Sequence, residues 1–339
     1  MSTVDPAPIR NSTYTGGLDG LRGFAAIIVV MVHARVAWLQ GGVSIISTFF
    51  PLSGFLITRN LLREIDGSNR VDFRRFWTRR VRRLLPASVI GVALATSAQV
   101  IRGAPPRVIE WASALTGWKN WQMIASPSYS DAALSVWWSL AIEEQYYLVY
   151  PSLLLVLVLW GGRRGTTIAF WIIAVSSFLT VLYGYHDGRG FEVYHGTHGR
   201  LWELLAGCLL AMAGKLPDRL RLSPVWSFGA IAVCQTSLLI RDDIWFMPVA
   251  RTLVTILGTV WLIDGVVNGP ATRTTRLLGS WPLRPLGLVS YEIYMVHTSV
   301  LMLLPRLGGV RAVTVTGAFL LSVAVACLVH VAVTPFRSK

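Results

Sequence analysis

Arginine, histidine and glutamate recur inside stretches that are otherwise apolar, and their spacing suggests chemistry. In LDGLRGFAAIIVVMVHARVAW, Arg22 and His33 are eleven residues apart. On a helix that is three turns plus roughly 20°, so the two share a face, with His33 about 16 Å further along. Asp19 joins that face one turn earlier. An imidazole takes and returns a proton near neutral pH, which suits general acid–base catalysis. The plainer reading has Arg22 snorkelling to an interface and His33 packed against a carbonyl.

A second cluster is SVWWSLAIEEQYYLVYP. Its tryptophans and tyrosines fit an interfacial aromatic belt. Glu143 and Glu144 point about 100° apart, so one can face a bundle interior while the other does not. Glu143 shares its face with Tyr146, Tyr147 and Tyr150, whereas Glu144 sits over Leu140, Leu148 and Pro151. A carboxylate beside an imidazole orients it and stabilises its protonated form. A structural salt bridge, for instance from Arg200, is the alternative.

In DFRRFWTRRVRRLLP, Phe73, Trp77, Val81 and Leu84 recur at helical spacing. They make an amphipathic interfacial helix with a basic opposite face. Arg79 and Arg83, one turn apart with Arg80 beside them, can clamp a phosphate. Attraction to anionic lipid head groups would explain the same charge without a ligand. Later, Arg200 and Glu203 in HGRLWELLAGCLLA stand at i,i+3 and should pair. SYEIYMVHTSV adds Glu292, Tyr294 and a second intramembrane histidine, His297, a type of group that is more often structural than catalytic.

The elements that position these residues are membrane helices. Of 339 residues, 53% are hydrophobic and 14% charged, with a mean hydropathy of +0.55. Soluble domains carry about 25% charge and disordered chains few apolar residues, so both classes are excluded. A span needs about 20 apolar residues. The sequence predicts an all-α, polytopic membrane bundle of about ten transmembrane helices. They fall near 21–40, 44–62, 84–102, 137–160, 166–186, 200–214, 225–240, 247–267, 286–305 and 312–334. Residues 109–125 are too polar to span and read as a helix near one surface. The whole of 1–339 reads as one membrane-embedded domain, with a short cytoplasmic tail over 1–17 and the interfacial basic helix over 72–84.

The net charge of +14 is read as topology rather than as nucleic-acid binding. The arginines between the second and third spans mark the cytoplasmic side. Alternating from there puts both termini in the cytoplasm and the protein in the cell membrane as a multi-pass chain. The first twenty residues lack the apolar core of a cleavable signal peptide. Cys208, Cys234 and Cys327 fall in apolar runs without metal-ligand spacing, so they read as small buried hydrophobes and no metal is expected. No internal repeat is evident, which weighs against a transporter built from inverted halves.

Six of these stretches, in order, resemble the motifs of the acyltransferase-3 family of integral-membrane O-acyltransferases. They are GLDGLRGFAAIIVVMVH, FFPLSGFLITRNLL, FWTRRVRRLLP, WWSLAIEEQYYLVYP, HGRLWELLAGCLLA and VSYEIYMVHTSV. The resemblance implies ten helices around a tunnel and transfer of an acyl group, often acetyl, from acyl-CoA to a hydroxyl. It gives His33 the place of the essential histidine, with Arg22 as its partner. Arg79 and Arg83 take the place of the donor-side pair, and Glu143 and Glu144 match the glutamate pair. The chain departs from the pattern at Ser47-Thr48, where an acidic residue is common. Glu292 replaces a usual small residue, and the tail TPFRSK stands in place of a Glu-Pro pair. No esterase-like domain follows, so any second catalytic step is expected from another protein.

These readings give one expected mechanism. Arg79, Arg83 and Arg80 hold the phosphates of acyl-CoA at the cytoplasmic mouth, and His33, oriented by Glu143 or Glu144, deprotonates an acceptor hydroxyl. Asp19, Tyr147, Arg200, Glu203 and His297 are candidates for binding the acceptor, a hydroxyl-bearing glycan, glycolipid or natural product. Transfer through an acyl-His33 intermediate is equally open. The alternatives are O-acylation of a macrolide-type antibiotic, a proton-coupled exporter using His33, Glu143 and His297 as a relay, and a catalytically silent scaffold.

Overall fold

The computed structural model describes residues 13–127, 133–236, 244–304 and 312–337. All regular structure among them is helical. The order is α1 (Thr13–His33), a 3-10 helix (Ala37–Thr48), α2 (Phe49–Ser68), α3 (Phe73–Ile101), α4 (Val108–Leu115), α5 (Lys119–Ala125), α6 (Trp137–His186), α7 (Gly190–His195) and α8 (Thr197–Ala213). A 3-10 turn (Asp218–Leu220), α9 (Pro224–Cys234), α10 (Met247–Asn268), α11 (Arg273–Leu278), α12 (Leu283–Leu288), α13 (Ser290–Leu303) and α14 (Ala312–Arg337) follow.

Six segments among the described residues are long and apolar enough to cross a membrane: Gly16–His33, Gly41–Ser68, Phe73–Ile101, Trp137–His186, Met247–Asn268 and Val315–Arg337. The fourth holds two of the expected spans. Gly162 adopts φ 61° inside α6, and the rings of Tyr150 and Phe170 lie 5.9 Å apart. Twenty residues of straight helix would separate them by about 30 Å. The helix therefore doubles back at Gly162, in line with the boundaries expected at 160 and 166. The remaining expected spans fall short of the roughly 20 residues of a typical crossing. α8 has 17 residues, α9 has 11, and 286–305 divides at Val289 between α12 and α13. Residues 237–240 and 305, and Arg306, lie outside the described residues.

Several boundaries differ for local reasons. α1 is already helical at Thr13, so only residues 1–12 of the expected tail 1–17 lie before it, outside the described residues. The first span ends at His33 rather than near 40, because Arg35 turns the chain at φ 59°. The basic segment 72–84 is continuous with the third span. Asp72 caps α3 by accepting the Arg75 backbone N–H at 2.8 Å, and the helix runs on through Pro86. Segment 109–125 is two short helices rather than one, α4 and α5, broken at Gly117 with φ 74°, and it keeps Ile109, Trp111, Trp118 and Trp121 exposed. Lys119, Asn120 and Gln122 of α5 are buried. Their polarity is absorbed by the bundle: Asn120 donates to His195 O and Thr197 Oγ1, and Gln145 donates to Gly117 O and Asn120 Oδ1.

The core is apolar where helices cross and uses glycine where backbones touch. A side chain at Gly20 would meet the Leu278 carbonyl oxygen at 1.6 Å, and one at Gly23 that of Leu283 at 2.1 Å. The face of α1 opposite the site therefore packs backbone-to-backbone, as small residues allow in membrane bundles. The aromatic residues opening α6 form core rather than a belt. Trp137, Trp138, Tyr146, Tyr147 and Tyr150 are all buried, with Tyr146 and Tyr150 stacked at 4.4 Å and Tyr150 hydrogen-bonded to Thr58 of α2. Cys208 and Cys234 are buried as expected, whereas Cys327 is exposed on α14.

Candidate active site

Two cavities meet inside the bundle. The first, about 230 Å³, takes Arg22 from α1, Ser53 from α2, Arg80 and Arg83 from α3, and Glu143 and Tyr147 from α6. The second, about 240 Å³, takes His33 from the end of α1, Trp138 from α6, and Tyr194 and His195 from α7. Ile46 and Tyr294 line both. The shared face foreseen for Arg22 and His33 is real, and its length places one residue in each cavity.

In the first cavity, Glu143 is the hub. It accepts hydrogen bonds from Tyr147 Oη and, at 3.3 Å, from Ser53 Oγ. Arg80 lies over the Tyr147 ring at 4.4 Å, and Trp77 Nε1 fixes the same residue by donating to its carbonyl at 3.0 Å. Arg22 is 3.6 Å from Asp19, which itself does not line the cavity. Glu144 points elsewhere. Its carboxylate packs against the α4–α5 turn, where a side chain at Gly117 would come within 2.8 Å of Oε2. Of the two adjacent glutamates, Glu143 alone belongs to the cavity.

In the second cavity, His33 Nδ1 donates to Val29 O at 2.9 Å. That bond leaves Nε2 as the basic nitrogen of the neutral ring. The expected carboxylate partner is absent: among the described residues, neither Glu143 nor Glu144 is hydrogen-bonded to His33, because they face other spaces. The neighbour of His33 is His297, ring centroids 4.9 Å apart. His297 is fully buried, donates Nδ1–H to Ile293 O at 3.2 Å, and keeps an unpartnered Nε2. Tyr294 is anchored between them and α6, its hydroxyl 2.6 Å from Ser139 Oγ and donating to Val136 O at 2.9 Å.

Arg200 and Glu203 pair as the i,i+3 spacing foresaw, and they sit outside both main cavities. Arg200 instead braces the second cavity's wall. Its Nε donates to Tyr194 O at 2.7 Å, and its guanidinium lies over the Tyr194 and Trp138 rings at 4.1 and 5.3 Å. His195 is a site residue that spacing did not reveal. Its Nδ1 donates to Phe191 O at 2.9 Å and its ring meets Trp138 edge-on. Burial, aided by the Arg200 charge and partly opposed by the Phe191 bond, lowers its pKa to about 4. The signal available in FEVYHGTHGR was an aromatic-histidine run, which carries no periodicity.

A third space, about 520 Å³, is lined by Arg75, Thr78, Arg79, Arg82, Arg83 and Arg337. Arg79 faces this groove only, Arg80 the first cavity only, and Arg83 both. The arginine pair foreseen from one-turn spacing is thus together in one groove, and that groove adjoins the first cavity.

Comparison with known proteins fits this arrangement. A family model described as an acyltransferase domain matches residues 15–331, and the chain belongs to that family, acyltransferase-3. It is 33% identical over 321 residues to YrhL of Bacillus subtilis, provisionally named a peptidoglycan O-acetyltransferase, covering 87% of this chain and 50% of that protein. It is 30% identical over 319 residues to the peptidoglycan O-acetyltransferase OatA of Listeria monocytogenes, covering 86% and 50%. The chain spans about half the length of the curated relatives it matches. No solved structure matches it significantly.

Proposed function

We propose that this chain is a multi-pass cell-membrane O-acyltransferase, moving an acetyl or other short acyl group from acyl-CoA to a hydroxyl of a glycan. The observation that carries the reading is the chain of shared linings. Arg83 joins the arginine groove to the first cavity, and Ile46 and Tyr294 join that cavity to the one containing His33. Support for the acceptor class comes from the relatives, two of which are named for peptidoglycan. With both termini cytoplasmic, the groove opens to the cytosol, where acyl-CoA is made, and His33 lies toward the far face.

The proposed reaction needs no metal. Arg79 and Arg83 hold the donor's phosphates by charge-assisted hydrogen bonds. Trp138, Tyr194 and His195 form the wall against which a sugar acceptor packs. His33 Nε2 accepts the acceptor's hydroxyl proton as the oxygen attacks the thioester carbonyl. The new C–O bond forms, the C–S bond breaks, and His33 returns its proton to the departing thiolate. His297, edge-on to it, holds the ring of His33 in place.

The test uses the purified chain in proteoliposomes with radiolabelled acetyl-CoA and a soluble peptidoglycan fragment. Label should appear on the glycan with wild-type protein and fall by about 10²–10⁴-fold with His33→Gln. Near wild-type transfer by a correctly inserted His33→Gln protein would sink the reading. Label held by the protein without acceptor would select the acyl-enzyme route, and acetylation confined to a macrolide would move the acceptor assignment. Export of substrate without acyl-CoA would favour a transporter.

A further inference from the structure

The arginine groove includes one residue from the far end of the chain. Arg337 of α14 lines it alongside the arginines of α3, and its position is enforced. Arg337 Nη2 donates to Glu292 Oε1 at 2.5 Å and to Arg83 O at 3.2 Å. Its Nη1 lies 3.0 Å from His330 Nδ1, which is also 3.0 Å from Glu292 Oε1. The His330 nitrogen serves one of those partners at a time. Glu292 is almost completely buried. Every charged residue lining the groove is an arginine, and a carboxylate set behind it pins the one that comes from another helix.

We propose that Arg337 is a phosphate-binding residue of the donor groove, positioned there by Glu292 and His330. Five guanidinium groups around one space repel one another unless an anion shares them. Arg337 has a donor left for that anion: Nη2 spends its two N–H groups on Glu292 and Arg83, whereas Nη1 has one contact, to His330, and a guanidinium carries two N–H groups on each Nη. The contact with the Arg83 carbonyl ties Arg337 to the residue common to groove and cavity. The ligand chemistry is a phosphate ester or pyrophosphate. Its assignment to the nucleotide end of acyl-CoA rests on the proposed function. The same arrangement gives two departures from the family pattern, Glu292 and the tail arginine, a single joint purpose.

The test compares wild type, Arg337→Gln, Arg337→Lys and the double variant Glu292→Gln/Arg337→Gln in neutral phosphatidylcholine nanodiscs. Affinity for CoA and for inorganic pyrophosphate, and the melting temperature, are measured. The double variant, which leaves no unpaired buried carboxylate, should melt like wild type yet bind both probes about tenfold more weakly, the worth of one charged hydrogen-bond set. Arg337→Lys should fall between, because a point charge lacks the guanidinium fork. A double variant that binds CoA and pyrophosphate as tightly as wild type overturns the proposal. A parallel set in discs containing phosphatidylglycerol measures retention of that lipid: a fall there with both affinities unchanged also overturns the proposal, since the groove would then serve lipid head groups. Failure of wild type to transfer from acetyl-CoA would sink the donor assignment alone, because the pyrophosphate comparison still decides Arg337.

Discussion

The ring of His33 stands edge-on to that of His297, centroids 4.9 Å apart and planes 70° from parallel. Each donates Nδ1–H to the carbonyl four residues earlier in its own helix, yet of the two only His33 lines the second cavity. The two should therefore separate in kinetics. His33→Gln should remove acyl transfer by about 10²–10⁴-fold in kcat. His297→Gln should cost far less, because it removes a support and leaves the base. Equal losses would mean that the pair acts as a unit.

Ile46 lines both cavities and is nearly buried. Ile46→Trp should fill the junction with Tyr294 while leaving the arginine groove intact. The expected result is a large fall in kcat with CoA affinity within about twofold of wild type, against an overpacking cost of about 1–3 kcal/mol in stability. Unchanged transfer would show that the donor reaches His33 by another way.

The adjacent glutamates make opposite predictions. Glu143→Gln alters the hub that Tyr147 and Ser53 bond and should lower turnover by at least about tenfold, the scale of one lost charge-assisted bond. Glu144→Gln should leave turnover close to wild type. Gly117→Ala should instead lower the melting temperature, since Gly117 has φ 74° and its new methyl group would meet the Glu144 carboxylate. Activity assays and thermal melts on the three variants check all of this together.

His195, in the loop helix between two spans, gives a pH signature. Its folded pKa of about 4 lies below the ordinary 6.5, so the unfolded chain binds the extra proton first as pH falls. Stability attributable to this ring is intact above about pH 6.5 and declines progressively toward pH 4. His195→Gln should flatten that part of the melting-temperature profile. An identical slope in the variant would assign the acid sensitivity elsewhere.

Periodicity along one helix was legible in the sequence, and partnership between helices was not. Arg22 and His33 share a face of α1, and Arg79 and Arg83 share a groove, because both statements concern residues on a single helix. The Glu143–His33 pairing failed because it joined α6 to α1, and no spacing within either helix reports which cavity each faces. The polarity of 109–125 told against a span but could not report that Asn120 and Lys119 turn inward, because their partners, Gln145, Thr197 and Gln122, include residues far along the chain. Trp137 and Trp138 looked interfacial for a similar reason: composition records that an aromatic is present, not that α3 lies against Trp137 or α7 and α8 against Trp138. Arg337 shows the converse. Its place in the groove depends on Glu292, forty-five residues away.

The reversal at Gly162 reaches beyond architecture. One arm of α6 carries Glu143 and Tyr147, and the other carries Ser177, whose hydroxyl accepts the Trp202 backbone N–H at the head of α8. The two arms pack on each other at Tyr150 and Phe170. The turn at one glycine, distant from both cavities, thus sets how the arm carrying Glu143 and Tyr147 lies against the arm that holds α8.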